Sequence, residues 1–250
     1  MLMKDKVALV TGGSSGIGRA IALTWAREGA QVVVSDINEN AGEETAALVR
    51  AQGCEALFVV ADASKPADCQ NLVERTVARF GRLDVACNNA GIAGAAAATA
   101  DYPLDGWAQV IDLNLSGVFY GMKYQIGAML KNGGGCIINM ASVLGAVAFA
   151  TAPAYTAAKH GVVGLTRAAA LEYSAQGIRI NAVGPAFITT ALTENLTNDP
   201  AINAMLTALH PIGRLGLPQE VAELVVWLCS DRASFVTGAY YPIDGGYLAR

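Results

Sequence analysis

Tyr155 and Lys159 stand four residues apart in a stretch, Ala154–Ala175, that reads as a helix. That spacing puts both side chains on one helix face. A phenol is a poor base at neutral pH, because its ordinary pKa is about 10. An ammonium beside it favours the phenolate and equips the pair to take or return a proton at a substrate oxygen. Ser142 lies 13 residues earlier and ends a strand-like run, Cys136–Ala141. Its hydroxyl is suited to hydrogen-bond a substrate oxygen on which negative charge develops. Asn114 falls inside a second helical run, Leu104–Lys131, where asparagine has no propensity advantage. Each residue alone has a plainer reading: a surface aromatic–cation pair, a turn serine, a satisfied core amide. The four together favour proton transfer at a substrate oxygen.

A cofactor loop precedes them. Val7-Ala8-Leu9-Val10 runs into Thr11-Gly12-Gly13-Ser14-Ser15-Gly16-Ile17-Gly18, so a strand, a glycine-rich turn and a helix start follow in order. Such glycines let backbone approach a pyrophosphate, and the helix N-terminus offers N–H donors and a favourable dipole. Gly12, Ser14, Ser15, Gly16, Ile17 and Gly18 are therefore expected at the cofactor. The second strand ends at Asp36, 18 residues after Gly18. A carboxylate there would accept from the adenosine ribose hydroxyls and repel a 2′-phosphate. Its neighbours Ser35, Ile37 and Asn38, and Ser15 in the loop, are uncharged. NAD is expected over NADP, with Ile37 beside the adenosine.

These residues need a scaffold, and the sequence alternates strand-like and helix-like runs. Lys6–Thr11, Gln31–Asp36, Glu55–Ala61, Leu83–Cys87, Cys136–Ala141, Ile178–Val183 and a short run near Ala239–Ile243 read as strands. Gly16–Gly29, Asn40–Gln52, Pro66–Phe80, Leu104–Lys131, Ala154–Ala175 and Pro218–Leu228 read as helices, several stopped by glycine. Such alternation implies an α/β fold, a Rossmann-type doubly wound parallel sheet of about seven strands with helices on both faces. Residues 1–250 read as one domain without linker or repeat. Ile188–Arg214 breaks the rhythm and contains Pro200 and Pro211, so it is expected to be a long connection and substrate lid.

The chain has 250 residues, 53% of them hydrophobic, and a net charge of −4. There is no basic footprint for nucleic acid or an anionic membrane, and no uninterrupted apolar stretch of about 20 residues. The start runs directly into a strand-like segment, so no signal peptide is evident. Five scattered cysteines without a CxxC pair give neither a zinc site nor a disulfide framework. No metal is expected, and a reducing cytoplasm is the simplest setting. Only 15% of residues are charged, consistent with faces buried between subunits.

In order and spacing, Thr11–Gly18, Asp62, Asn88-Asn89-Ala90-Gly91, Asn114, Ser142, Tyr155-x-x-x-Lys159, Asn181 with Pro185, and Asp244-Gly245-Gly246 resemble the short-chain dehydrogenase/reductase family in its compact cytosolic form. The resemblance spans the whole chain. It implies that Lys159 holds the nicotinamide ribose and that Asn114 kinks its helix and links Lys159 to a water chain. Asp62 and Ala63 would border the adenine. Asn89, Ala90 and Gly91 would line the cofactor, with Pro185 nearby and Thr189 reaching the nicotinamide carboxamide. It also implies a homotetramer, with Leu104–Lys131 and Ala154–Ala175 pairing across one interface and the C-terminal segment at another. One departure stands out: Pro185-Ala186 replaces the family's Pro-Gly, so the loop entering the lid is expected to differ in shape.

The expected substrate contacts are Ser142, Leu144, Phe149, Ala186 and Leu192. Their segments are small and apolar, with no Arg or Lys placed to grip a carboxylate or phosphate. A neutral hydrophobic or cyclic alcohol or ketone is therefore expected. His210-Pro211-Ile212-Gly213-Arg214 and Trp227–Asp231 resemble members that oxidise cyclic alcohols or diols; for His210 itself, a loop-stabilising role is favoured over substrate contact. The nearest alternative is a 3-oxoacyl-carrier-protein reductase, which Asp36 and the sparse basic residues disfavour. A non-catalytic dinucleotide sensor is another, disfavoured by the intact Ser, Tyr, Lys and Asn set.

Overall fold

The computed structural model describes residues 1–191, 193–194 and 198–249. Leu192, one of the expected substrate contacts, lies outside the described residues.

Seven strands, β1 (Val7–Thr11), β2 (Gln31–Asp36), β3 (Ala56–Val60), β4 (Val85–Asn88), β5 (Gly135–Met140), β6 (Ile178–Pro185) and β7 (Tyr240–Ile243), form one sheet in the order 3-2-1-4-5-6-7. Every pairing is parallel. Side chains alternate between faces along a strand, and here both faces are apolar because both are covered. In β1, Ala8 and Val10 enter the cluster on one face and Leu9 the cluster on the other. The first cluster packs against α1 (Gly16–Arg27), α2 (Glu39–Ala51) and the last helix, while the second packs against α3 (Pro66–Phe80), α5 (Gly117–Lys131) and α6 (Pro153–Tyr173). Strand order reverses between β1 and β4. In an open parallel sheet, the crevice beyond the carboxyl ends at such a reversal is where ligands bind.

Two expected elements differ in detail. The run from Leu104 to Lys131 is helical throughout but not uniform. α4 (Leu104–Ile111) passes through a wider π-type turn, Asp112–Ser116, into α5. The Gly117 N–H accordingly reaches back five residues to the Asp112 carbonyl. The long connection after β6 is not structureless: it holds α7 (Pro200–Ala208). Asp199 caps that helix by accepting from the Ala201 and Ile202 N–H groups, and Pro200 sits where a missing N–H costs nothing. A single parallel bridge, Ile188 to Gly216, ties the start of the connection to the segment before α8 (Pro218–Cys229).

Candidate active site

The glycine turn joins β1 to α1 at the sheet reversal. Gly12 has φ +65° and Gly16 φ +50°, a backbone region that costs other L-residues energy. A Cβ on Gly18 would lie 2.0 Å from the Gly12 carbonyl oxygen. Ser15, before the first turn of α1, makes no side-chain capping bond, and that turn carries no acidic residue. Its N–H groups therefore face the loop without a competing carboxylate, as an anion site requires. The loop is braced from β4: Thr11 Oγ1 accepts from the N–H groups of Asn89 and Ala90, and Asn89 Nδ2 donates to the carbonyls of Thr11 and Gly12. Asp36 is already oriented, with one carboxylate oxygen accepting from Ser14 N at 3.1 Å and the other from Asn38 N at 3.0 Å. Ile37 beside it is exposed. Arg19 lies nearby, but its guanidinium is engaged by the Ser14 and Ala41 carbonyls and the Glu44 carboxylate. This cradle, too tight for a side chain at Gly18 and open to an anion at α1, fits a dinucleotide.

Asp62 follows β3. Its Oδ1 accepts from both Ser64 N and Ser64 Oγ, and these bonds, with Lys65 close by, hold the carboxyl below its ordinary value. The Ala63 carbonyl packs against Gly117, where a Cβ would approach it to 2.7 Å.

The four chemical residues converge past the carboxyl ends of β4 and β5. Ser142 is buried just beyond β5; its hydroxyl accepts from Leu144 N at 3.2 Å and donates to the Pro185 carbonyl at 3.4 Å. Tyr155 and Lys159 descend from α6 on one face, the ammonium 5.4 Å from the phenol ring centroid. Lys159 is almost fully buried and donates to the Met140 carbonyl at 2.7 Å. The wide turn points Asn114 at the loop after β4: its Oδ1 accepts from Ile92 N and its Nδ2 donates to Ile92 O. A Cβ on Gly91 would stand 3.1 Å from Asn114 Oδ1 and 3.8 Å from Lys159 Nζ, which shows how closely these groups meet.

Burial is the largest influence on the phenol. It raises Tyr155 above the ordinary tyrosine value, and a hydrogen bond with Ser142 works in the other direction. Lys159 itself donates to the Met140 carbonyl. Burial brings Lys159 down to about 8. For a lysine lowered on folding, the unfolded chain binds more protons between that value and its ordinary one, so stability rises across that range. Lys159→Met is accordingly expected to raise the unfolding free energy of the free protein at pH 7 by on the order of 1 kcal/mol. The gain should shrink above pH 8. Chemical denaturation at pH 7 and pH 9.5 checks this, and an equal effect at both would refute it.

The outer rim is apolar. Leu144 is buried; Phe149 is half-buried and meets Phe187 edge-on, with centroids 6.0 Å apart. Ala186 takes its place without positive φ, which among described non-glycine residues occurs only at Asp5 and Thr151. The Pro-Ala departure therefore imposes no left-handed backbone, and the Ala186 N–H is anchored to the Ile243 carbonyl. His210 is buried beneath the connection. Its Nδ1 lies 2.8 Å from the Leu206 carbonyl, and its ring abuts Phe187 and Tyr247. These contacts are of the kind a loop-stabilising histidine makes, and the ring also lines a cavity with Ala186 and Phe187. Thr189 is exposed and bonds through its N–H to Gly216. Its neighbour Thr190, which sequence reasoning passed over, leans on the glycine turn, its methyl 3.3 Å from where a Gly16 Cβ would be.

A Rossmann-type sheet with a dinucleotide cradle and a Ser–Tyr–Lys–Asn centre defines a nicotinamide-dependent oxidoreductase. Residues 12–248 match the family model described as "Enoyl-(Acyl carrier protein) reductase". The cyclohexanol dehydrogenase of Acinetobacter sp. (strain SE19) is 48% identical over 98% of this chain and 96% of its own. The 2,5-dichloro-2,5-cyclohexadiene-1,4-diol dehydrogenase of Sphingobium indicum (strain B90A) is 45% identical over 99% and 98%. The crystal structure of levodione reductase superposes with a TM-score of 0.96 at 40% identity, covering 99% of both chains. A solved structure from Beutenbergia cavernae with bound NADP has a TM-score of 0.94 at 38% identity, covering 99% and 98%. The chain belongs to the short-chain dehydrogenase/reductase family, whose members bind a nicotinamide dinucleotide, and it is an oxidoreductase acting between secondary alcohol and ketone. Among the described residues no helix is long and apolar enough to cross a membrane.

Proposed function

We propose that the chain interconverts a cyclic, uncharged secondary alcohol and its ketone with NAD(H), with Tyr155 as the proton-transfer residue. The observation that carries this is the convergence of Ser142, just beyond β5, with Tyr155 and Lys159 on one face of α6, opening onto an apolar rim. Ser142 holds the substrate oxygen and Tyr155 hands it a proton or removes one. Lys159, at present on the Met140 carbonyl, is the group placed to hold the nicotinamide ribose. When bound there, the nicotinamide supplies or accepts the hydride. Asn114, its side chain bonded to both main-chain groups of Ile92, fixes the loop over the site and stands beside Lys159, where a water relay would join them.

Gly12, Ser14, Ser15, Gly16, Ile17, Gly18, Asn89, Ala90, Gly91 and Pro185 form the phosphate and ribose side of the cofactor site, with Thr190 as well as Thr189 closing it. Asp62 and Ala63 border the adenine. Leu144, Phe149 and Ala186 line the substrate side, and residues 188–214 act as the lid. The cyclic substrate class is supported by the names of the cyclohexanol and cyclohexadiene-diol relatives and by the apolar Leu144, Phe149 and Phe187 at the rim.

The preference for NAD rests on Asp36, whose two oxygens are held by backbone N–H groups at the end of β2. Asp36→Ser should improve NADP relative to NAD by tenfold or more in kcat/KM; an unchanged ratio would remove the basis for this preference. Cyclic and aryl ketones with NADH and NADPH, followed by chiral analysis of the product, test the whole reading. Turnover confined to carrier-protein thioesters with NADPH would overturn it. A homotetramer is part of the proposal. It is supported by exposed apolar side chains on the outer faces of the central helices (Phe119 on α5, Leu171 on α6) and by Phe235 before β7. A monomer by light scattering would exclude it. Five free cysteines suit a reducing cytoplasm.

A further inference from the structure

We propose that Tyr240, on the edge strand β7, is a positioning residue for catalysis: its hydroxyl donates to the Ser142 main-chain carbonyl and thereby aims the Ser142 hydroxyl at the reacting oxygen. The proposal rests on the function given above and extends it to a residue outside the chemical four.

The geometry is specific. Tyr240 is paired in register with Ala182 on β6, yet its hydroxyl reaches over β6 to the Ser142 carbonyl at 2.8 Å. The ring crosses at Gly184, where a Cβ would lie 2.3 Å from the hydroxyl and 2.5 Å from two ring carbons. Only a residue without a side chain leaves this path open. The same carbonyl accepts from Gly145 N at 2.8 Å. Ser142 is thus held at both ends: its carbonyl by Tyr240 and Gly145, its hydroxyl by Leu144 N and the Pro185 carbonyl. The serine oxygen is held in place while its one proton, now on the Pro185 carbonyl at 3.4 Å, can turn to the reacting oxygen, and preorganisation of this kind gives a hydrogen-bonding group its value in a transition state. Burial and the nearby Asp244 push the Tyr240 phenol up to about 12, so it remains a donor across the working range.

Tyr240→Phe removes only the donated bond and keeps the ring over Gly184. Kinetics and a crystal structure of this variant, beside wild type, test the proposal. We expect kcat for ketone reduction to fall about tenfold, with the KM for cofactor within about twofold, as for a reacting group misplaced by a fraction of an ångström. The alkaline limb of the pH profile should move upward, because Ser142 is the group that restrains the Tyr155 phenol. In a Ser142→Ala background the same change should cost nothing further, since residues acting as a unit are not additive. In the crystal, the Ser142 hydroxyl should leave its contact with Leu144 N.

An unchanged kcat and pH limb, an equal loss with and without Ser142, or an unmoved Ser142 in the crystal would each overturn the proposal. A purely structural tyrosine would lower Tm and leave the pH limb in place. If wild type turns over no cyclic alcohol or ketone, the functional reading fails instead, and the position of Ser142 in the two crystals decides the role of Tyr240 without reference to turnover.

Discussion

Tyr155→Phe is expected to lower kcat/KM by about 10²–10⁴-fold in both directions, the range a positioned proton-transfer group supplies. The variant loses one oxygen and keeps the ring against Lys159. The cradle at Gly12–Gly18, the carboxylate of Asp36 and the Lys159 ammonium are untouched, so cofactor affinity by fluorescence titration should stay within about threefold. The pH dependence gives a second signature. Because burial raises the phenol above its ordinary value, the proton-donating form persists through neutral pH and the proton-accepting form gains only on the alkaline side. Ketone reduction by wild type should therefore be flat through neutrality and decline at alkaline pH, whereas alcohol oxidation should climb there. The phenylalanine variant should lose both limbs. Turnover within tenfold of wild type, with the limbs intact, would assign the proton to another group.

Gly18→Ala should be nearly as damaging, by another route. The new methyl would sit 2.0 Å from the Gly12 carbonyl oxygen and 2.7 Å from Asn89 Nδ2, and the nearer partner is backbone. The turn must open, and opening it pulls on the Asn89 bonds that tie β4 to the cradle. Overpacking of this kind costs about 1–3 kcal/mol, which for a chain of this size lowers Tm by about 2–4 °C for each kcal/mol. Cofactor affinity should suffer more than stability, with Kd rising by about two orders of magnitude, because the α1 N–H groups that face the anion move with the turn. Thermal unfolding and fluorescence titration separate the two effects. An affinity within threefold of wild type would mean that the cradle does not hold the pyrophosphate.

Much of this was legible from residue order. Strand–helix alternation set the sheet, because buried parallel strands read as apolar runs and glycine stops mark helix ends. Tyr155, Lys159 and Ser142 declared themselves through spacing, since a helix face and a strand end are local. What sequence left hidden was non-local. In the Leu104–Lys131 run the family resemblance implied a kink at Asn114, but the form of the wide turn and the clasp of Asn114 on Ile92 depend on the loop after β4. Tyr240 gave no signal, because its importance depends on β7 lying beside β6 and on the gap at Gly184. Thr190 was passed over for Thr189, since which of two adjacent threonines faces the cradle depends on how the chain leaves β6. The raised phenol of Tyr155 follows from burial, which residue types alone do not specify. Nothing in the order of residues foretold that Lys159 would rest on the Met140 carbonyl.

The turn at Asp112–Ser116 is, in bookkeeping of the chain, one residue too many for an α-helix. Deleting Leu115 or Ser116, just after Asn114, would restore the ordinary repeat, and the stem from Leu104 to Lys131 would become a straighter and more regular rod. The same deletion would rotate everything before it by about 100°, the angle between neighbours in a helix of 3.6 residues per turn. Asn114 could then no longer clasp Ile92, and the loop above the cofactor would lose its fastening. The surplus residue is thus an insertion that trades helical regularity for a hinge pin. A shortened chain that still folds yet turns over nothing would be its clearest fingerprint.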